Sequence, residues 1–168
     1  MINVGVSEIE LAIRLLLAAL LGYAVGLERQ MSGHPAGDRT FALTSLGAAI
    51  FALISLKAFA AGDSRVAAGV VSGLGFLGAG MIIRTQGREI KGLTTAAGIW
   101  SMGAIGLAVG SGMYILGIFS TLLVLFLLAS ERIFHIDDRL AARRKALRER
   151  QKMGHDQHED KPPEEFPR

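Results

Sequence analysis

Cysteine is absent from these 168 residues, which excludes disulfides, thiolate metal sites and cysteine nucleophiles. No Ser/His/Asp set and no paired carboxylates stand at a spacing that supports acid–base or nucleophilic work, so an enzyme is not expected. Nor is there a basic leader. The chain has no Lys or Arg before Arg14 and carries Glu8 and Glu10 instead, the reverse of a signal peptide, so the first apolar run is expected to be retained. Acid is also missing from the middle of every long apolar run, where Glu28, Asp38 and Asp63 lie only near ends.

What is present is oil, divided sharply from charge. Apolar residues make up 51% of the chain and mean hydropathy is +0.40, above the norm for a soluble globular domain. Nearly all the charge sits in short connections or after Ser130. A transmembrane helix needs roughly 17 to 25 apolar residues, because every backbone polar group in the hydrocarbon must be satisfied internally. Five segments meet that demand: 9–27, 41–60, 66–83, 93–109 and 113–129. The last two form one nearly uncharged stretch, too long for a single crossing at about 1.5 Å per residue. It must fold back, and Gly110-Ser111-Gly112 is the natural place, since glycine supplies the backbone angles of a tight turn. Gly33-His34-Pro35-Ala36-Gly37, Ala61-Gly62-Asp63-Ser64 and Gln86-Gly87-Arg88 read as the other turns.

Lys and Arg accumulate in loops that stay in the cytoplasm. With five spans, Arg29, Arg39, Arg84, Arg88, Lys91 and the basic tail fall on one side, and only Lys57 and Arg65 on the other. An all-α, polytopic membrane bundle of about five helices is expected, its amino terminus outside and its carboxyl terminus cytoplasmic. Domain organisation follows as a transmembrane unit over 1–130, a basic amphipathic helix over 131–152 lying along the inner leaflet, and a disordered tail over 153–168. The lipid bilayer is the first partner, with acidic headgroups facing the tail; nucleic acid is not expected.

Gly73-Leu74-Gly75-Phe76-Leu77-Gly78 matches G-x-G-x-x-G literally. The dinucleotide reading is rejected, because that fingerprint needs a preceding strand and a βαβ unit. Close helix packing is the better use of these glycines, since lipid offers no hydrophobic drive between helices and small residues let backbones approach. Gly69 and Gly73 form a G-x-x-x-G pair with Gly75, Gly78 and Gly80 beside them, and Gly98, Gly103, Gly106 and Gly110 give the fourth span a similar face. The third and fourth spans are therefore expected to pack tightly on neighbours or on a second copy, with Trp100 filling space the glycines leave.

Charges near the hydrocarbon are costly and usually tied to function. Arg14 is expected to snorkel to the outer headgroups, with an ion pair to an outer acid such as Asp63 as the alternative; Arg65 lies on the same side. Glu28, Arg29, Arg39 and Arg84 are brought to the opposite face, where they are expected to form a polar cluster. The tail residues His155, Asp156, His158, Glu159 and Asp160 have metal-ligand types but no rigid scaffold, so a solvated tail is expected.

Several stretches taken together resemble the MgtC/SapB family of bacterial membrane proteins, in particular its short, SapB-like members. They are Gly26-Leu27-Glu28-Arg29-Gln30, the run 39–48, Asp63-Ser64-Arg65-Val66-Ala67-Ala68-Gly69, the run 73–80, and Gly92-Leu93-Thr94-Thr95-Ala96-Ala97 before Trp100. They cover most of 11–130 in order. The resemblance implies an inner-membrane protein linked to magnesium homeostasis, acid stress and virulence. It acts either through helix–helix interaction with another membrane protein or a homo-oligomer, or as a Mg²⁺ transporter or uptake component. No cofactor is expected, and Mg²⁺ would be a transported or sensed ion. Asp38 departs from the pattern by standing where an apolar residue is expected. The folded carboxyl-terminal domain of longer members is expected to be missing, with a basic helix in its place.

Overall fold

The computed structural model describes residues 7–58, 64–84 and 90–130. The basic helix expected over 131–152, the tail beyond it, Asp63 and the turn at 86–88 lie outside the described residues. Among the described residues there are five helices: α1 (Glu8–Met31), α2 (Asp38–Ala58), α3 (Arg65–Met81), α4 (Leu93–Gly110) and α5 (Tyr114–Ser130). Two strands of two residues each, β1 (Ile83–Arg84) and β2 (Ile90–Lys91), form an antiparallel ladder between α3 and α4. The expected spans match the helices to within a few residues, and the ladder is an addition too short to change the all-α class.

Helices α1, α2 and α4 are long and apolar enough to cross a membrane, and α3 and α5 are shorter apolar helices. At 17 residues, α3 reaches about 25 Å, the short end of a crossing. Contacts establish that neighbours alternate in direction. Lys57 near the end of α2 lies 3.9 Å from Glu8 at the start of α1, and Leu128 near the end of α5 meets Arg29 near the end of α1.

Local chemistry fixes the helix ends. Ser7 caps α1 by accepting from the Glu10 N–H at 3.2 Å, with Glu8 and Glu10 in the first turn and Arg29 in the last, as the helix dipole favours. Gly33, at φ +77°, turns the chain toward α2. Asp38 then opens α2: its carboxylate accepts from the Arg39 N–H at 2.7 Å, and its own N–H donates to Gln30 Oε1 at 3.3 Å. The acid that departs from the family pattern thus sits where a helix start stabilises negative charge.

The centre of the bundle is α2, approached closely on two sides by glycines. A Cβ on Gly22 of α1 would stand 2.5 Å from the Phe41 carbonyl oxygen, and one on Gly26 would stand 2.5 Å from the Asp38 Cα. On the other flank, a Cβ on Gly106 of α4 would run into the Ser45 carbonyl oxygen, and one on Gly110 would lie 2.6 Å from that of Ala49. No side chain fits there, so backbones meet and dispersion contacts replace the hydrophobic drive that lipid does not supply. Phe41, Ile99, Met102 and Val109 fill the remaining core.

Two expectations about bulk and small residues change. Trp100 is 50% exposed and fills no glycine space. Phe41 packs against Gly98 and Leu74 against Gly103 instead, because those side chains come from facing helices while Trp100 points away from them. In α3, Gly78 touches Ala96 but Gly69, Gly73, Gly75 and Gly80 face open space. The tight interfaces belong to α1 and α4.

Candidate functional site

Ionised groups gather at the two ends of α1, and each end holds the carboxyl-terminal end of another helix. Arg14, buried at 8% exposure, lies one turn inside α1. Its Nη2 donates to Glu10 Oε1 at 2.5 Å, its Nε to the Tyr114 hydroxyl at 3.0 Å, and its Nη1 to the Gly110 carbonyl at 3.0 Å. Tyr114 donates in turn to Glu10 Oε1 at 3.1 Å, and the guanidinium carbon stands 5.6 Å from its ring centroid. Snorkelling is therefore not what Arg14 does. The guanidinium is held inward by three differently directed acceptors, and its acid is Glu10, four residues back on the same helix.

The turn between α4 and α5 fits around this arginine. Gly112 has φ +87°, and a Cβ there would come 3.1 Å from Arg14 Nη1, so the position is closed to side chains on two counts. Carbonyls at a helix end lack intrahelical donors and carry the negative end of the dipole. Arg14 supplies both a donor and a positive charge to α4.

Arg29 repeats the device at the other end. It is 1% exposed; its Nε donates to Glu28 Oε2 at 2.6 Å, and its Nη2 to Glu28 Oε1 at 3.1 Å and to the Leu128 carbonyl in the last turn of α5 at 3.1 Å. Ser32 adds a hydroxyl donor to Glu28 Oε1 at 2.8 Å. Of the cluster expected at this face, the structure joins Glu28 and Arg29. Arg39 is exposed in the first turn of α2, beside a polar recess of about 400 Å³ lined by Gln30, His34 and Asp38 among others. Arg84 lies in β1, and its side chain is outside what the structure describes. Arg65 is exposed at the start of α3, at the end of the bundle that holds Arg14.

Sequence reading passed over Tyr114, the Gly22/Gly26 pair and the Glu10–Arg14 pair. Two of these had a local signal, the i,i+4 spacing of opposite charges and a G-x-x-x-G in α1. Tyr114 had none, being 100 residues from its partner.

The other feature is an apolar trough of about 710 Å³ between α2 and α3, walled by residues such as Leu43, Phe51 and Ile54 on one side and Val66, Val70 and Leu77 on the other. Gly47, Gly69 and Gly73 keep it open. Among the described residues no group of three or more His, Cys, Asp or Glu could hold a metal ion.

A polytopic helical membrane protein, with its ionised groups tied to helix ends and its midsection apolar, is the class these features define. The chain belongs to the MgtC family, whose profile matches residues 15–136. It is 46% identical over 135 residues to the Escherichia coli (strain K12) protein named "Putative magnesium transporter YhiD", covering 75% of this chain and 61% of that one. It is 44% identical over 133 residues to Protein SrpB of Synechococcus elongatus, covering 71% and 73%. With Protein MgtC of Salmonella typhimurium (strain 14028s) it shares 43% over 113 residues, covering 67% and 48%. The chain thus spans about three fifths of YhiD and about half of MgtC. No solved structure matches it.

Proposed function

We propose that this chain serves magnesium homeostasis and stress adaptation in a bacterial inner membrane by docking another membrane protein, or a second copy of itself, through helix α3. Its amino terminus lies outside and its carboxyl terminus in the cytoplasm, a reading supported by Arg29, Arg39, Arg84 and Lys91 at one end of the bundle against Lys57 and Arg65 at the other. A relative named "Putative magnesium transporter YhiD" supplies the physiological setting. One observation carries the mode of action: α3 buries only Leu74 and Gly78 and leaves Gly75 and Gly80, which do not line the apolar trough, facing open space. Glycines in α1 and α4 are filled by neighbouring helices, so the same packing chemistry on α3 is left for a neighbour.

Direct transport is the second reading, favoured by the name of YhiD as a "Putative magnesium transporter". Magnesium sheds water reluctantly and is held through oxygen ligands, often carboxylates. Glu28, the acid nearest a span at the Arg29 end, is committed to Arg29 and Ser32, which weighs against a carrier role. No enzymatic role is proposed.

The test joins flux to growth. Purified protein in liposomes loaded with a Mg²⁺-sensitive dye is expected to show no flux above empty vesicles. Gly75→Leu with Gly80→Leu is expected to abolish function in a low-magnesium growth assay while the protein stays folded in the membrane. Robust flux that Glu28→Ala abolishes would restore the transporter.

A further inference from the structure

We infer that the trough between α2 and α3 is a binding site for an anionic glycerophospholipid, one acyl chain lying along the trough and the phosphate at its Lys57–Arg65 mouth. A trough of about 710 Å³ facing hydrocarbon does not stay empty, because its walls would lose their dispersion partners. Its single polar lining side chain, Thr44, already donates to the Thr40 carbonyl at 2.8 Å. The occupant therefore needs no polar group along its length.

Length distinguishes a lipid chain from a partner helix. The trough runs from Leu43 to Ile54 on α2 and from Val66 to Leu77 on α3, about 16 Å along each helix at 1.5 Å per residue. That is about half of a hydrocarbon core roughly 30 Å thick, the depth of one leaflet. A partner helix would cross the full thickness and need the seam to continue; an acyl chain from one side needs only what is there.

Charge at the mouth fits the head of such a lipid. Lys57 stands one turn beyond Ile54 and Arg65 immediately before Val66, so both cations flank the open end. The α3 amino terminus adds to them, since its first turn holds no acid and the positive end of the helix dipole lies toward the headgroup. Lys57 Nζ has Glu8 3.9 Å away, itself 89% exposed, and Asp63 precedes Ser64 in the sequence. In the orientation proposed above this is the outer leaflet. Lipid in the trough is independent of partner docking, for which Gly75 and Gly80 lie outside the trough lining.

Delipidated full-length protein is titrated in mild detergent with phosphatidylglycerol or with phosphatidylcholine of the same chains, and bound lipid is counted by native mass spectrometry. One phosphatidylglycerol per chain is expected, preferred about tenfold or more over phosphatidylcholine, from two cations near the surface. Lys57→Gln with Arg65→Gln should erase the preference and keep residual binding of both lipids; both positions are exposed, so folding should not be affected. Gly73→Leu should remove binding of both. The inference is overturned if wild type shows no preference, if the double variant keeps it, or if a photocrosslinker at Phe51 in native membranes captures a protein helix instead of lipid.

Discussion

Arg14 Nη1 donates to the Gly110 carbonyl across 3.0 Å, so a residue early in α1 closes the end of α4 almost a hundred positions later. The mirror relation joins Arg29 to Leu128 at 3.1 Å. The two arginines stand fifteen residues apart on one helix, about 22 Å by helical rise. Helix α1 therefore clasps the α4–α5 hairpin at both ends, and the glycine contacts with α2 set the middle.

Removing the Arg14 guanidinium takes one of the two donors from Glu10 and the side-chain donor from the Gly110 carbonyl. Arg14→Met is expected to lower the melting temperature of the detergent-solubilised protein, and Tyr114→Phe to lower it less, by the loss of part-buried hydrogen bonds worth about 1 kcal/mol each. Arg14→Lys should not rescue, because one ammonium cannot reproduce the guanidinium's fixed fork of donors to three separate acceptors. Thermal unfolding followed by a thermofluor or tryptophan signal checks all three, and a Lys variant equal to wild type would remove the clasp.

Glu28→Gln is expected to weaken the Arg29 knot and reduce low-magnesium growth. Glu10 accepts from both Arg14 and Tyr114, so Glu10→Gln should also lower the melting temperature, with Glu28→Gln the larger effect because Arg29 is 1% exposed. Side-by-side melting curves and growth rates decide it.

Glycines should divide by position rather than by motif. Gly106→Ala and Gly22→Ala place a methyl against the carbonyl oxygens of Ser45 and Phe41 and are expected to destabilise by several kcal/mol, since overpacking alone costs about 1–3 kcal/mol and backbone cannot yield as a side chain can. Gly69→Ala meets nothing within 4 Å and should leave stability unchanged or raise it by up to about 1 kcal/mol, since alanine suits a helix interior better than glycine. Unfolding in a denaturing detergent titration separates the two groups.

Bulk should divide in the same way. Phe41→Ala empties the centre of the bundle and is expected to cost about 3–5 kcal/mol. Trp100→Leu, at a half-exposed site, should be near neutral to stability. The same titration measures both.

How much of this was legible can be said residue by residue. The five helices were, because an apolar run of sufficient length in lipid has no alternative to helix, and the re-entrant turn was marked by Gly110 and Gly112. Glu10 with Arg14 could have been read from spacing alone. The ladder between Ile83 and Lys91 could not, being a pairing of two residues on each side with no pattern to announce it.

By itself the sequence determined that the chain is a membrane protein, where its apolar helices lie, and which residues are small enough to let helices touch. Only the tertiary structure decided which glycines are used, why Arg14 turns inward to Gly110 and Tyr114, and where an apolar trough is left between α2 and α3. The physical reason is that hydropathy and helix formation are local properties of a segment, whereas the rotation of one helix against another is set by contacts between segments remote in the chain. Along α3 and α4 the glycines look alike in sequence, and only the helix packed opposite makes one an interface and another an opening.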